Sequence, residues 1–338
     1  MDIQTINRKP FIVAEMSANH NGSLERALAI VDAAAAAGAD AIKLQTWAPA
    51  CMVVDKGYTI KSGAWAGRNL ADLYREAHTP WAWHLPIFKR AKERGLIPFS
   101  TPFDIPSLDF LERDCKCEIY KIASFEIVDL HLVAAVARTG KPMIMSTGMA
   151  SHLEIQCAVF AAVAGGCNDI TLLKCTSAYP AQVANANLAT MIEMRDNFDG
   201  CSVGLSDHTM GSVVAVVATS MGAEVIEKHL TLSRDDGGLD ANFSMEPEEF
   251  AQMVKDCRIA VSAIGNIQFG PSEGECTDLR RSLWLVEGIT AGETFQPWHI
   301  RSARPALSTE CYLIDQVIGR VAADSYAGGQ PLKMEMLK

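Results

Sequence analysis

VGLSDHTMGSVVAVVATSMGAEVIEKH, residues 203–229, is the stretch from which the fold is read. Its first piece, Val203–Ser206, is a short apolar run that breaks into Asp207 and His208. A helix-period segment follows over Ser212–Met221, and a second run, Glu224–His229, again ends in histidine. Two short strands joined through a helix pair in parallel, because a parallel crossover needs a dozen or more residues.

Outward from that unit the pattern recurs. Strands are predicted at Phe11–Met16, Ala41–Gln45, Ile97–Ser100, Ile119–Ile122, Met143–Ser146 and Thr171–Cys175. Helical patterns lie at Leu24–Ala37, Trp83–Arg94, Leu130–Thr139, Glu154–Ala164 and Leu188–Asn197, and a last one at Pro247–Ala263. Gly38, Gly95 and the run Gly140-Lys141-Pro142 are stop signals behind three of them. Eight strand–helix repeats imply a parallel sheet, and runs that are apolar throughout imply strands buried on both faces. About 265 residues suits a closed (β/α)8 barrel of the TIM type. The competing arrangement is an open doubly wound sheet, but no strand here is followed by the G-x-G-x-x-G dinucleotide fingerprint.

The 338 residues exceed one ordinary core but suit a barrel, residues 1–265, with a small appendage. Residues 266–278 (NIQFGPSEGECTD) read as a linker, and 279–338 as a compact unit of short β-like pieces. That unit holds 7 Lys+Arg and 6 Asp+Glu of the chain's 30 and 40, so it carries +1 within a total of −10. Unlike charge on the two parts favours docking, and a unit of this size is marginal alone, so it is expected to pack on a barrel, its own or a partner's. The acidic total argues against nucleic acid as a partner. No apolar run approaches the roughly 20 residues that span a bilayer. The start, MDIQTINRKP, lacks the basic end and apolar core of a secretory signal, so a cytoplasmic protein with ten reduced cysteines is expected.

Catalytic groups of such barrels sit at the C-terminal ends of the strands. Here those ends carry Glu15, Asn19, His20 and Asn21; Lys43 and Gln45; Thr101; Lys121, Ser124 and Glu126; Ser146 and Thr147; Lys174, Thr176, Ser177 and Tyr179; Ser206, Asp207 and His208; Glu227 and His229. A lysine inside an apolar strand is expensive to bury unpaired. Lys43 and Lys121 beside Thr101, Ser146 and Ser206 read as an anion cradle, with a structural ion pair as the plainer alternative. His208 and His229 end adjacent strands, where two neutral imidazoles can share a divalent metal or serve in hydrogen bonding and proton transfer. His78, His84, His152 and His299 lie off the strand ends and read as surface or loop residues. Cys175 ends a strand and is either a nucleophile or, on base rates, a small buried hydrophobe. Trp47–Pro80 holds a Trp-rich irregular stretch that is either a lid or a plug over the barrel end.

The motifs IVAEMSANHNGS, DAIKLQTW, FSTPFD, YKIASFEI, STGMAS, LLKCTSAYP, VGLSDHTMG and VIEKH occur in that order. Together they resemble the sialic acid synthase family of phosphoenolpyruvate-condensing enzymes over nearly the whole chain. RRSLWLVEGITAGETFQPWHIRSARP is similar to that family's C-terminal antifreeze-like (SAF) β-rich domain. SANHN, KIASFEI and GRNLADLYREAHTPWAWH look like the branch of the family that makes pseudaminic acid.

The resemblance implies condensation of phosphoenolpyruvate with a 2,4-diacetamido-2,4,6-trideoxy hexose. The runner-up is the same reaction on N-acetylmannosamine or a legionaminate precursor. It implies a divalent metal on His208 and His229, Mn²⁺ first, with Mg²⁺, Co²⁺ or Zn²⁺ as alternatives. It sets Lys43, Thr101, Lys121, Ser124, Ser146, Ser177, Ser206 and His208 around phosphoenolpyruvate, and Gln45, Glu126, Tyr179, Asp240 and Arg304 around the sugar. His208, Glu126, Lys121 and Asn21 are implied as catalytic, and Arg304 as reaching a partner's site in a domain-swapped homodimer. Two departures stand out: Ser177 replaces an asparagine of neuraminate synthases, and Ala306-Leu307 follow Arg304-Pro305 where the family has glycine. Other classes make other demands: a Schiff-base aldolase needs Lys121 or Lys174 as nucleophile, and a non-catalytic sugar- or ice-binding protein needs neither lysines nor histidines in the barrel.

Overall fold

The structure is a computed structural model and describes residues 9–338; most of the N-terminal stretch read for a signal lies outside them. Eight parallel strands close a barrel in sequence order: β1 (Phe11–Glu15), β2 (Ala41–Thr46), β3 (Ile97–Pro102), β4 (Tyr120–Ile122), β5 (Met143–Ser146), β6 (Ile170–Cys175), β7 (Cys201–Asp207) and β8 (Val225–His229). β8 returns to pair with β1, with Glu15 beside His229 in register. All eight expected strands are present, and their ends shift by no more than two residues from the sequence reading.

Local chemistry explains the helices between them. Ser23 caps Leu24–Ala36 by accepting from the Arg26 amide at 3.2 Å. Ser151 and Glu154 form a reciprocal capping box at the start of His152–Ala164. The strand faces are apolar because both are covered: Ile12, Ile42, Leu44, Tyr120, Leu172 and Ile226 are all fully buried or within 1% of it. Gly204 on β7 is required by close approach, since a Cβ there would sit 2.3 Å from the Val225 carbonyl and 2.8 Å from Leu173. Among the described residues no helix is long and apolar enough to cross a membrane.

Three expectations need correction. The stretch after β2, read as irregular, contains the helix Leu70–Ala77, whose cap Asn69 accepts from the Asp72 amide at 3.0 Å. The helix's eight residues fall short of the window of roughly 11–18 residues over which helical periodicity is read. His84 is not at the surface: it shares the inner face of Trp81–Glu93 with Ile87, Phe88 and Ala91, and its Nε2 lies 2.7 Å from Thr46 Oγ1. His299 is also buried, and its Nδ1 accepts from the Gln296 amide at 3.1 Å.

The chain divides into two compact units, one ending at Gly265 and one running from Asn266 to Lys338. The second is built on a three-stranded antiparallel sheet, with β9 (Ser282–Leu285) between β10 (Ile300–Ala303) and β11 (Gln330–Pro331). Its own core contains Leu283, Leu285, Phe295, Ile300, Val317 and Leu332.

Candidate active site

A cleft of about 880 Å³, open mouth included, lies at the C-terminal ends of the barrel strands. Alternation along each strand decides what enters it. Glu15, Lys43, Lys121, Ser146, Cys175, Ser206, Glu227 and His229 all point in, while Lys174 and Lys228 point out. Lys228 is held outside the barrel by Asp207 at 2.6 Å, and Lys174 by the Cys175 carbonyl at 2.7 Å. Lys174 is therefore no candidate for Schiff-base chemistry in this cleft.

The two inward lysines differ in kind. Lys43 stands 2.6 Å from Glu15 and 3.7 Å from Glu227, with Thr101 Oγ1 at 3.4 Å, so the structural-pair reading holds for it. One ammonium serves two carboxylates. Burial, then the negative charge of Glu227, pushes Glu15 up against the pull of Lys43, whereas Lys121 and Lys43 overcome burial and hold Glu227 down. Gln45 Nε2 donates to Glu15 at 2.8 Å and Ser206 to Glu227 at 3.2 Å. Lys121 has no carboxylate at ion-pair distance among the described residues. Its ammonium donates to Ser146 Oγ at 2.7 Å and to the Ile122 carbonyl at 3.0 Å, and burial lowers its pKa. A buried ammonium whose hydrogen-bond partners are neutral, with Glu227 acting on it only from beyond ion-pair distance, is a seat for an anion.

His208 and His229 face each other with ring centres 5.2 Å apart. A metal about 2.1 Å from each coordinating nitrogen lies roughly 3.2 Å from each ring centre, so imidazoles at 90–110° around it are roughly 4.5–5.3 Å apart. The two rings can share one ion. His208 Nδ1 donates to the Thr176 carbonyl at 3.1 Å, which leaves Nε2 as the acceptor. His229 Nδ1 is buried without a hydrogen-bond partner, and burial above all keeps this ring neutral. Among the described residues no third His, Cys, Asp or Glu joins them as a ready metal group. An ion held there takes its remaining ligands from water or substrate.

Around this pair lie the other expected residues. Ser124 and Ser177 converge on the turn at Gly148, where a Cβ would come 2.4 Å from Ser124 Cβ and 2.9 Å from Ser177 Oγ. Cys175 Sγ is 3.6 Å from Ser177 Oγ and 3.8 Å from His208 Nδ1; burial opposes ionisation, but these neighbours and Ser124 bring it to about 6. Tyr179 stacks obliquely 4.5 Å from His208. Asp240 is buried on the cleft wall, accepts from the Ala18 amide at 3.2 Å, and is pushed up by burial. Glu126 is not among the residues that line the cleft but lies within electrostatic reach of Lys121; it has a buried Oε2 without a partner and is pushed up to about 7 by burial against the pull of Lys121.

Asn21 is not brought in. It is exposed in a left-handed turn, and its Nδ2 donates to the Gly237 carbonyl at 3.0 Å, so it braces a loop and does not line the cleft. Arg304 is exposed on the second unit. Residues without an expected role do enter. Glu15 is one, and its register partner Lys43 is the signal that could have found it. Trp65 is another: it packs 5.1 Å from Tyr179, and its indole N–H donates to the Leu239 carbonyl at 3.0 Å. The stretch after β2 thus covers the cleft as a lid, with Trp47 buried at its root.

Comparison with known proteins agrees with this architecture. Residues 30–269 match the NeuB family and 280–338 the SAF domain. The chain is 39% identical to pseudaminic acid synthase of Helicobacter pylori over 332 residues, covering 96% of this chain and 97% of the relative. It is 38% identical to pseudaminic acid synthase of Campylobacter jejuni over 334 residues, covering 97% and 96%. Among solved structures it superposes on N-acetylneuraminic acid (sialic acid) synthetase from Leptospira borgpetersenii, in complex with citrate, with a TM-score of 0.71, 32% identity, and coverage of 79% of this chain and 89% of that one. With a barrel matched along most of its length and a C-terminal unit matched to its end, the chain belongs to the NeuB family and carries a SAF domain.

Proposed function

We propose that this chain condenses phosphoenolpyruvate with 2,4-diacetamido-2,4,6-trideoxy-L-altrose, giving pseudaminate and phosphate. The observation that carries the reading is Lys121, a buried ammonium without a carboxylate partner in the same cleft as the His208–His229 pair. The names of the Helicobacter and Campylobacter relatives supply the sugar class.

In this reading Lys121 seats the phosphoenolpyruvate anion, hydroxyls of Thr101, Ser124, Ser146, Ser177 and Ser206 donate to its oxygens, and Lys43 stays paired with Glu15 beside it. Gln45, Tyr179 and Asp240 orient the sugar so that its aldehyde carbon meets C3 of phosphoenolpyruvate. A divalent cation on His208 and His229, Mn²⁺ before Mg²⁺, Co²⁺ or Zn²⁺, supplies Lewis acidity toward the aldehyde when bound. The new carbon–carbon bond forms as the aldehyde oxygen takes a proton and becomes a hydroxyl. Water then gives its oxygen to C2 and loses one proton, and as the C2–O bond to phosphate breaks, phosphate departs with the bonding pair while the C2 hydroxyl loses its proton and becomes the keto carbonyl. Glu126, whose carboxyl titrates at about 7, is assigned the exchange of one of these protons. The working form is a cytoplasmic, domain-swapped homodimer in which Arg304 reaches the other copy's cleft and donates to an acetamido carbonyl.

The test offers phosphoenolpyruvate with each sugar separately and follows phosphate release and product mass. The trideoxy sugar is the expected substrate. Vigorous use of N-acetylmannosamine, with none of the trideoxy sugar, overturns the choice.

A further inference from the structure

The cleft has two unlike sides. The floor and the β7–β8 side are polar, carrying Lys121, Ser146, His208 and His229. The lid side is mostly carbon: Leu73 and Ala77 of the helix Leu70–Ala77, Phe103 just after β3, and the ring of Tyr74, whose phenol hydroxyl is its polar exception. Trp47 backs this side, with its ring edge-on to Tyr74 at 5.7 Å and to Phe103 at 5.0 Å, and its indole N–H donates to the Tyr74 carbonyl at 3.3 Å. Leu73 is itself 8% exposed, so the wall is packed from behind. Strand order sets its position: in a ring of eight, β3 is diametrically opposite β7, so the segments after β2 and β3 face His208 across the mouth.

We infer that this wall is the specificity element for the far end of the sugar, selecting a C6 methyl over a C6 hydroxymethyl group. The inference rests on the proposed function and extends it to residues that no part of that reading uses. An open-chain aldose with its C1 at the histidine pair runs its C5–C6 tail away from the polar side, toward the lid. A methyl group there replaces water against Leu73, Ala77 and Phe103. A hydroxymethyl group loses its hydration and meets no donor or acceptor on those three side chains. An apolar surface rejects an added hydroxyl by about 10–100-fold.

The experiment compares kcat/KM for the 2,4-diacetamido-2,4,6-trideoxy sugar and its 6-hydroxy counterpart, with the metal-loaded full chain. Wild type is expected to favour the 6-deoxy sugar by about 10–100-fold. Leu73→Asn and the smaller change Ala77→Ser each place a polar group on the wall and are expected to narrow that ratio several-fold. The change falls on the sugar KM, and the phosphoenolpyruvate KM stays constant. Equal use of both sugars by wild type overturns the wall while leaving the proposed reaction standing. So does a preference that neither substitution alters. Absence of turnover with either sugar strikes the proposed function itself, and the wall with it.

Discussion

Replacing each inward lysine by methionine separates an anion seat from a structural pair, because the same substitution has unequal consequences at the two positions. Lys121→Met removes an ammonium whose partners are one hydroxyl and one carbonyl, at 2.7 and 3.0 Å. Burial disfavours its charge, as its lowered pKa records, and Lys43 still faces Glu227 when that charge is lost, so Lys121→Met costs less stability than Lys43→Met. Lys43→Met instead strands Glu15 and Glu227, which it holds at 2.6 and 3.7 Å. Breaking a buried pair from one side costs about 3–5 kcal/mol. At roughly 2–4 °C per kcal/mol for domains of 150–250 residues, the unfolding midpoint falls by about 6–20 °C. For function, a charge-assisted hydrogen bond to phosphate contributes about 1.5–3 kcal/mol, so Lys121→Met lowers kcat/KM for phosphoenolpyruvate by roughly 10–150-fold. The assays are a thermal melt of each substrate-free variant and initial rates over a phosphoenolpyruvate series. Equal losses of midpoint in the two variants, or an unchanged phosphoenolpyruvate KM in Lys121→Met, refute the assignment of roles.

Other outcomes follow from the same geometry. His229→Ala abolishes turnover and Mn²⁺ binding by calorimetry while circular dichroism stays native, since His229 Nδ1 has no protein partner to strand; retained activity removes the metal role. Glu126→Gln flattens the inflection of the rate profile near pH 7, where the wild-type carboxyl titrates at about 7. Because that carboxyl is raised from an ordinary 4.5, native wild type holds an extra proton between those values, and its stability declines as pH rises through that window. The glutamine variant lacks the decline, so melts at pH 5 and 8 show it gaining on wild type at the higher pH. Truncation after Asp278 raises the sugar KM far more than the phosphoenolpyruvate KM; an equal loss of both speaks against a substrate role for the C-terminal unit. Borohydride with pyruvate leaves no adduct on Lys121, and an adduct by mass spectrometry restores the Schiff-base alternative.

Period and punctuation were enough for the barrel. Continuous apolar runs such as Met143–Ser146 and Thr171–Cys175, each followed by a helical pattern, specify strands buried on both faces, and that property is local. The rule that chemistry sits at strand ends then pointed to Lys43, Lys121, His208 and His229 before any contact was known. What local pattern could not say is what each residue meets. Lys43 and Lys121 look alike in sequence; only pairing of β1 with β2 gives one of them Glu15, and only closure of the barrel brings Glu227 to it. Asn21 follows Glu15 closely along the chain, yet a left-handed turn carries it out to the Gly237 carbonyl. Trp65 shows the converse: the Trp-rich stretch marks it only as part of a lid or plug, and folding of the loop sets it against Tyr179, more than a hundred residues away. Alternation and periodicity report which side of an element is buried, whereas the distance between two side chains on different strands is a property of register and closure, which only the assembled barrel decides.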